Sequence, residues 1–189
     1  VEWMYNIIYD VDDCLIDTNG YICEKLGLDI NDFTNWDLTE LKDRDKVFDM
    51  YNKVEPYINA KVFDGVQQIR RFGWGVKFHT GCSNLACGLA KKNRLTEMGF
   101  KESDIILDYN KEKQMKDCVV QIEDGFENLS RSNALYKILI NKPWNEKCII
   151  NSTDKIYRVD SLLEANQKVR EIMYMHHFDK EQEIRQWMI

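Results

Sequence analysis

The stretch that most constrains this chain is Asn6-Ile7-Ile8-Tyr9-Asp10-Val11-Asp12-Asp13-Cys14-Leu15, an apolar run that ends in three acids within four residues. Residues 3–9 are rich in aromatic and β-branched side chains and are short enough for one strand. A continuous apolar run is what a strand buried on both faces of a parallel sheet requires. Carboxylates cannot remain in such an interior unpaired, so the acids are expected at the strand's carboxyl end, where open α/β sheets take their ligands. Asp10 and Asp12 stand two apart, and extended backbone would aim both the same way. Two carboxylates facing one crevice repel unless a cation lies between them, and hard oxygen donors suit Mg²⁺. Taken alone, the stretch also reads as an acidic loop following a strand.

The remainder of the chain supplies partners for this strand. Buried-strand patterns recur at residues 74–79, 104–107, 118–122, 135–140 and 156–159. Helical patterns separate them at 66–72, 85–98 and 126–134, with a short polar helix or turn at 111–116. Strands alternating with helices predict βαβ units and a parallel sheet with right-handed crossovers. Between Leu15 and Asp64 no strand pattern occurs. That span reads as a small helical insertion. Asp37 with Glu40 suggests a capping box before a charged helix over 38–51, which Pro56 ends, and 57–62 reads as a further short helical turn. Ser161 with Glu164 suggests a second box, opening a last helix over 162–175. The expected organisation is an α/β core at 1–15 and 65–175, a helical cap at 16–64 and a helix-compatible tail at 176–189.

Composition excludes several classes. The chain has 189 residues, enough for a substantial core. Hydrophobic residues make up 44% and charged residues 31%, a globular and not a disordered balance. No apolar run is long enough to span a membrane and no basic-then-apolar leader pattern is visible, so a cytoplasmic location is expected. The formal net charge of −6 disfavours non-specific nucleic-acid binding. The cysteines at 14, 23, 82, 87, 118 and 148 form no C-x-x-C pair and read as reduced thiols, several in apolar runs.

Three strand ends carry polar chemistry: Asp10 with Asp12, Thr80, and Glu123 with Asp124. Lys111, Lys113 and Lys116 precede the last. In a parallel sheet these ends open on one edge. The set suits phosphoryl transfer: one carboxylate as nucleophile, a second moving protons, a metal screening the attack, and a hydroxyl and an ammonium meeting the phosphoryl oxygens. Solvated loop acids, a Thr80 that caps the next helix and surface lysines are the plainer readings of the same residues. His79, on a buried strand, reads as a hydrogen-bonded core histidine, and Trp144 as packing.

Residues 7–15 resemble the first motif of the haloacid dehalogenase superfamily. Val76-Lys77-Phe78-His79-Thr80 resembles the second, and Lys113 followed by Val119-Val120-Gln121-Ile122-Glu123-Asp124 the third and fourth. Leu139-Ile140-Asn141-Lys142-Pro143-Trp144-Asn145 and Asn35-Trp36-Asp37 resemble elements of the 5′(3′)-deoxyribonucleotidases within it. The resemblance implies that Asp10 is nucleophile and Mg²⁺ ligand. It makes Asp12 the general acid/base and a metal ligand through its main-chain carbonyl, and Asp124 a third protein ligand. Thr80 and the Gly81 backbone would hold the phosphate. Lys113 would bridge phosphate and nucleophile, with Lys111 and Lys116 as alternatives. Glu123 departs from the usual aspartate, and Cys14 from the usual Thr or Val.

The expected fold is therefore α/β, a Rossmann-like parallel sheet with a small helical cap. The expected activity is Mg²⁺-dependent dephosphorylation of nucleoside monophosphates, deoxy forms favoured, with a small-molecule nucleotide as the partner. Phe33 and Trp36 are candidates to stack the base, or simply form the cap's core. Two alternatives stand beside this: a phosphatase for another metabolite or a polynucleotide end, and a non-catalytic binding module on the same scaffold. Trp187 and Met188 on the tail could seal a homodimer or dock on the same chain.

Overall fold

The computed structural model describes residues 5–110, 117–151 and 155–187. The strands are β1 (Tyr5–Tyr9), β2 (Val76–Gly81), β3 (Ile105–Asp108), β4 (Cys118–Glu123), β5 (Tyr136–Ile140) and β6 (Ile156–Val159). They form one six-stranded sheet in the order β3-β2-β1-β4-β5-β6. Every pairing is parallel. The chain runs outward from β1 through β2 to β3, crosses back to β4 and runs outward again. β1 therefore stands at the reversal of strand order, the place where open α/β sheets bind ligands beyond their carboxyl ends.

The helices are α1 (Thr18–Leu26), α2 (Arg44–Tyr51), α3 (Glu55–Asn59), α4 (Val66–Ile69), α5 (Leu85–Glu97), α6 (Phe126–Ser130) and α7 (Leu162–Trp187). Ile7, Tyr9, Phe78, Val120 and Ile122 of the central strands pack in one cluster with Ala165, Val169, Ile172 and Met173 of α7. The Tyr9 hydroxyl donates to Asn166 Oδ1 at 2.8 Å, and Asn166 Nδ2 donates to the Gly65 carbonyl at 2.9 Å. This buried chain of bonds ties β1, α7 and the start of α4 together. Gly65 has φ 107°, and a Cβ there would stand 3.1 Å from Asn166 Nδ2, so both backbone and space favour glycine.

Residues 16–64 hold α1, α2 and α3 and a 3₁₀ turn at Ile30–Asp32. Their ends are joined by single bridges, Asp12 with Ile16 and Ile16 with Val62. The Asp17 side chain caps α1 by accepting from Gly20 N, and Gly27 ends the helix at φ 67°. Ile22, Cys23, Phe33, Leu38, Val47 and Met50 form a separate cluster, which Trp144 joins from the sheet side. The sheet side thus contributes an aromatic ring to the insertion's core.

Several boundaries differ from the sequence pattern. The helix expected over 38–51 begins only at Arg44, because Leu38 takes φ 51° and turns the chain left-handed. Pro56 does not separate two helices from outside. It sits in the first turn of α3, where its missing N–H costs no hydrogen bond. α6 stops at Ser130, four residues before the expected end. The box at Ser161 forms in a shifted register: Ser161 Oγ accepts from Glu164 N, while Glu164 accepts from Asp160 N instead of Ser161 N. The expected turn at 111–116 lies outside the described residues. All six cysteines are free thiols, five of them buried. No helix among the described residues is long and apolar enough to cross a membrane.

Candidate active site

The carboxyl ends of β1, β2 and β4 meet the insertion across a cavity of about 260 Å³. Asp10, Asp12, Asp124 and Gly81 line its floor, and Trp36, Phe48, Tyr51 and Tyr57 supply aromatic surface from the insertion. The floor follows from strand register. Tyr9 pairs with Phe78 on one side and Ile122 on the other, so Asp10, Thr80 and Asp124 each emerge within two residues of a paired position. Asp10 N donates to the Ile122 carbonyl at 2.9 Å, which carries the ladder to the nucleophile candidate itself.

Asp12 is held from three sides. Thr18 Oγ1 donates to its Oδ1 at 2.8 Å, the Thr80 hydroxyl lies 3.4 Å from its Oδ2, and the Lys91 ammonium donates to the same Oδ2. Thr80 is fully buried behind this carboxylate and is not part of the cavity wall, whereas Gly81 is. Asp13 turns the chain at φ 56° and accepts from Asn19 N at 2.9 Å. Burial pushes its carboxyl up to about 8, against the opposing Lys142 charge and the Asn19 N–H, with the Asp12 and Asp17 charges adding to the rise.

Asp124 is buried, and the 143–145 turn positions it. Trp144 Nε1 donates to Asp124 Oδ2 at 2.9 Å, and Asn145 Nδ2 donates to the Asp124 carbonyl and to the Ile140 carbonyl, both at 2.8 Å. Arg158 on β6 bonds the carbonyls of Asn145 and Cys148 at 2.8 and 2.9 Å, fixing the turn from behind. Burial raises the Asp124 carboxyl well above the usual carboxylate range, and the charges of Asp10, Asp13 and Glu123 raise it further.

This electrostatic situation tests whether a divalent cation fits. Ligand atoms of Asp10, Asp124 and Cys14 lie within 4.8 Å of one another, all buried. Two carboxylates crowded together out of water are stabilised as anions only by a cation, and their oxygens match a hard ion such as Mg²⁺. Cys14 does not fit the ion. Burial and the Asp124, Asp10 and Glu123 charges push its thiol up, so it stays protonated, 3.8 Å from Asp124 Oδ1 as a weak donor. Asp10 and Asp124 would hold the metal, with Cys14 packing behind them.

Of the two aromatic candidates, only Trp36 reaches the cavity. Trp36 is 41% exposed and borders Gly125, while Phe33 is 0% exposed among the insertion's own core residues, 6.4 Å from the Trp144 ring. Lys113, Lys111 and Lys116 lie outside the described residues. His79 is buried and bonds Asp108 Oδ2 at 3.1 Å, a core histidine one residue before Thr80. Trp144 packs, as expected, in the insertion's core cluster, and also bonds Asp124. Lys91 escaped the sequence reading. It is 2% exposed on α5, where Cys87, Lys91 and Leu95 fall four apart on the buried stripe. A lysine on an apolar stripe was the available signal.

Comparison with solved structures agrees with the topology. The chain superposes on a haloacid dehalogenase-like hydrolase from Burkholderia xenovorans LB400 with a TM-score of 0.52 at 12% identity, covering 89% of this chain and 99% of that one. The chain has the haloacid dehalogenase-like fold. A phosphonoacetaldehyde hydrolase-like protein from Oleispira antarctica gives a TM-score of 0.48 at 8% identity, over 89% of this chain and 92% of that one. The magnesium-bound HAD-hydrolase YfnB from Bacillus subtilis gives 0.44 at 11% identity, over 88% and 99%. No protein-family model and no curated protein matches the sequence. At 12% identity the haloacid dehalogenase-like fold carries over, while the chemistry rests on the residues themselves.

Proposed function

We propose that this protein is a Mg²⁺-dependent phosphomonoester hydrolase acting on nucleoside monophosphates, with deoxyribonucleotides favoured. The observation that carries this reading is the meeting of Asp10, Asp12 and Asp124 with an aromatic wall in one cavity at the strand-order reversal. A bound Mg²⁺ would screen the phosphate's negative charge from the attacking carboxylate. Asp10 attacks phosphorus, forming a bond from its carboxylate oxygen as the ester bond to the nucleoside oxygen breaks. Asp12 gives its proton to that leaving oxygen. In the second half Asp12 takes a proton from water, water attacks phosphorus, and the bond to Asp10 breaks to release phosphate. Thr18 and Thr80 orient Asp12 for both transfers.

Trp36, Phe48, Tyr51 and Tyr57 give the mouth planar apolar surface on which a base can stack. That aromatic wall is what favours a nucleotide over a phosphate ester without a base. Phosphate release from a nucleotide panel, with and without Mg²⁺, tests the reading. Turnover that needs Mg²⁺ and vanishes in Asp10→Asn is the expected result. Full activity of Asp10→Asn would remove the mechanism, and turnover confined to non-nucleotide phosphates would remove the substrate class.

A further inference from the structure

We infer that Lys91, delivered by the helix after β2, is a phosphoryl-binding residue of this site, taking the place that the resemblance gives to Lys113. The inference rests on the phosphatase reading and names the cation that reading needs. Among the described residues lining the cavity, Lys91 is the only cation. Its Nζ donates to the Asp12 carboxylate, to the Gly81 carbonyl at 2.6 Å and to Thr80 Oγ1 at 3.3 Å. It also stands 4.4 Å from the centroid of the Tyr57 ring. Of those partners, Asp12 and Gly81 line the cavity where a transferring phosphoryl group would sit, and Thr80 lies behind them.

Burying an ammonium is costly, and side chains of this kind sit inside a protein when paired or used. The pairing with Asp12 alone does not explain the position. Lys91 is carried on α5 beneath the cavity, with its stem packed and its charge brought to the one place where three carboxylates and a dianionic substrate would meet. Its ammonium has three donors, and a phosphoryl oxygen entering between Gly81 and Asp10 would replace one of its present acceptors, such as the Gly81 carbonyl at 2.6 Å. Tyr57 limits how far the ammonium can retreat. Its own hydroxyl is fixed by donating to the Tyr51 carbonyl at 2.6 Å, so the ring face is held still under the charge.

The test compares Lys91→Met and Lys91→Arg with Lys113→Met in the full chain. Two quantities are read: kcat/KM on the best nucleotide, and the binding of inorganic phosphate in the presence of Mg²⁺ by calorimetry. Lys91→Met is expected to lower kcat/KM by about 100-fold, the scale for losing one charge-stabilising group. It should also weaken phosphate binding by about 10-fold, with partial recovery in Lys91→Arg. The thermal midpoint of Lys91→Met reports the fold separately, and Lys91→Arg keeps the charge should the neutral variant unfold. Lys91→Met with wild-type phosphate binding and kcat/KM, beside a crippled Lys113→Met, overturns the assignment. If the wild type hydrolyses no phosphomonoester, the phosphatase reading fails by itself. Phosphate binding then decides the Lys91 assignment: loss in Lys91→Met upholds it, while equal binding, or none in the wild type, overturns it.

Discussion

The indole of Trp144 donates a hydrogen bond to Oδ2 of Asp124 at 2.9 Å, so a residue of the 143–145 turn fixes the carboxylate that β4 carries into the site. The same indole belongs to the core cluster of the insertion. One side chain thereby couples the packing of the cap to the aim of a candidate metal ligand.

Trp144→Phe removes that bond and keeps most of the packing. Partners that orient metal-ligating groups are worth about 10- to 100-fold in metal affinity. The expected result is a Mg²⁺ requirement raised about 10-fold, with kcat at saturating Mg²⁺ within a few-fold of wild type. A magnesium titration of activity reads it directly. An unchanged requirement would make the indole a packing element only.

Stability should depend on pH and metal together. Burial pushes the Asp13 carboxyl up to about 8 in the folded chain, against an ordinary unfolded value near 4. Between those values the folded state keeps a proton that the unfolded state has lost, so stability falls as pH rises through that window. The raised Asp124 carboxyl acts in the same direction. Mg²⁺ binds the deprotonated form, so its stabilisation should grow with pH. In a chelator, the thermal midpoint is expected to fall by several degrees from about pH 5 to pH 8 and to be restored by Mg²⁺ mainly at the upper end. A midpoint that rises with pH in the chelator contradicts the buried-acid account.

Trp36 and Gly125 give a test of the substrate wall that leaves the chemistry untouched. A Cβ on Gly125 would stand 2.9 Å from Cη2 of Trp36, so Gly125→Ala must displace the ring. Both Gly125→Ala and Trp36→Ala are expected to raise KM for nucleotides about 10-fold, the scale of one base-stacking contact, with little change in KM for a small phosphate ester lacking a base. Equal effects on both substrates would mean that the ring closes the site without reading the base.

How much of this was legible in the sequence depended on burial. The strands were visible because each carries clustered apolar and β-branched residues, even where Lys77, Gln121 or Arg158 interrupts the run, and the acids at the ends of β1 and β4 followed from the cost of burying charge. The insertion was harder. Its helices are short and its turns are set by packing: Leu38 takes a left-handed conformation that no residue pattern announced. Phe33 and Trp36 stand three apart in a polar stretch, and only tertiary contacts decide that one faces the core and the other the cavity. Lys91 was obscured because α5 also carries Lys92 and Arg94, and solvent is the ordinary expectation for basic side chains on a helix.

Phe33 supplies the last prediction, because its two candidate roles differ in what they would disturb. It is fully buried between the insertion's helices and the Trp144 ring, away from the cavity lining. Phe33→Ala should therefore cost about 3–5 kcal/mol of stability, the range for emptying an aromatic core site. Phe33→Leu keeps most of the volume and should cost less, leaving KM for nucleotides near the wild-type value in the folded protein. Denaturant unfolding of both variants, read beside KM of the leucine variant, separates the roles. A leucine variant with full stability and a KM raised tenfold would place the ring against the base. The packed geometry favours the opposite pair of results, with Phe33 acting on the site only through Trp144 and, beyond it, Asp124.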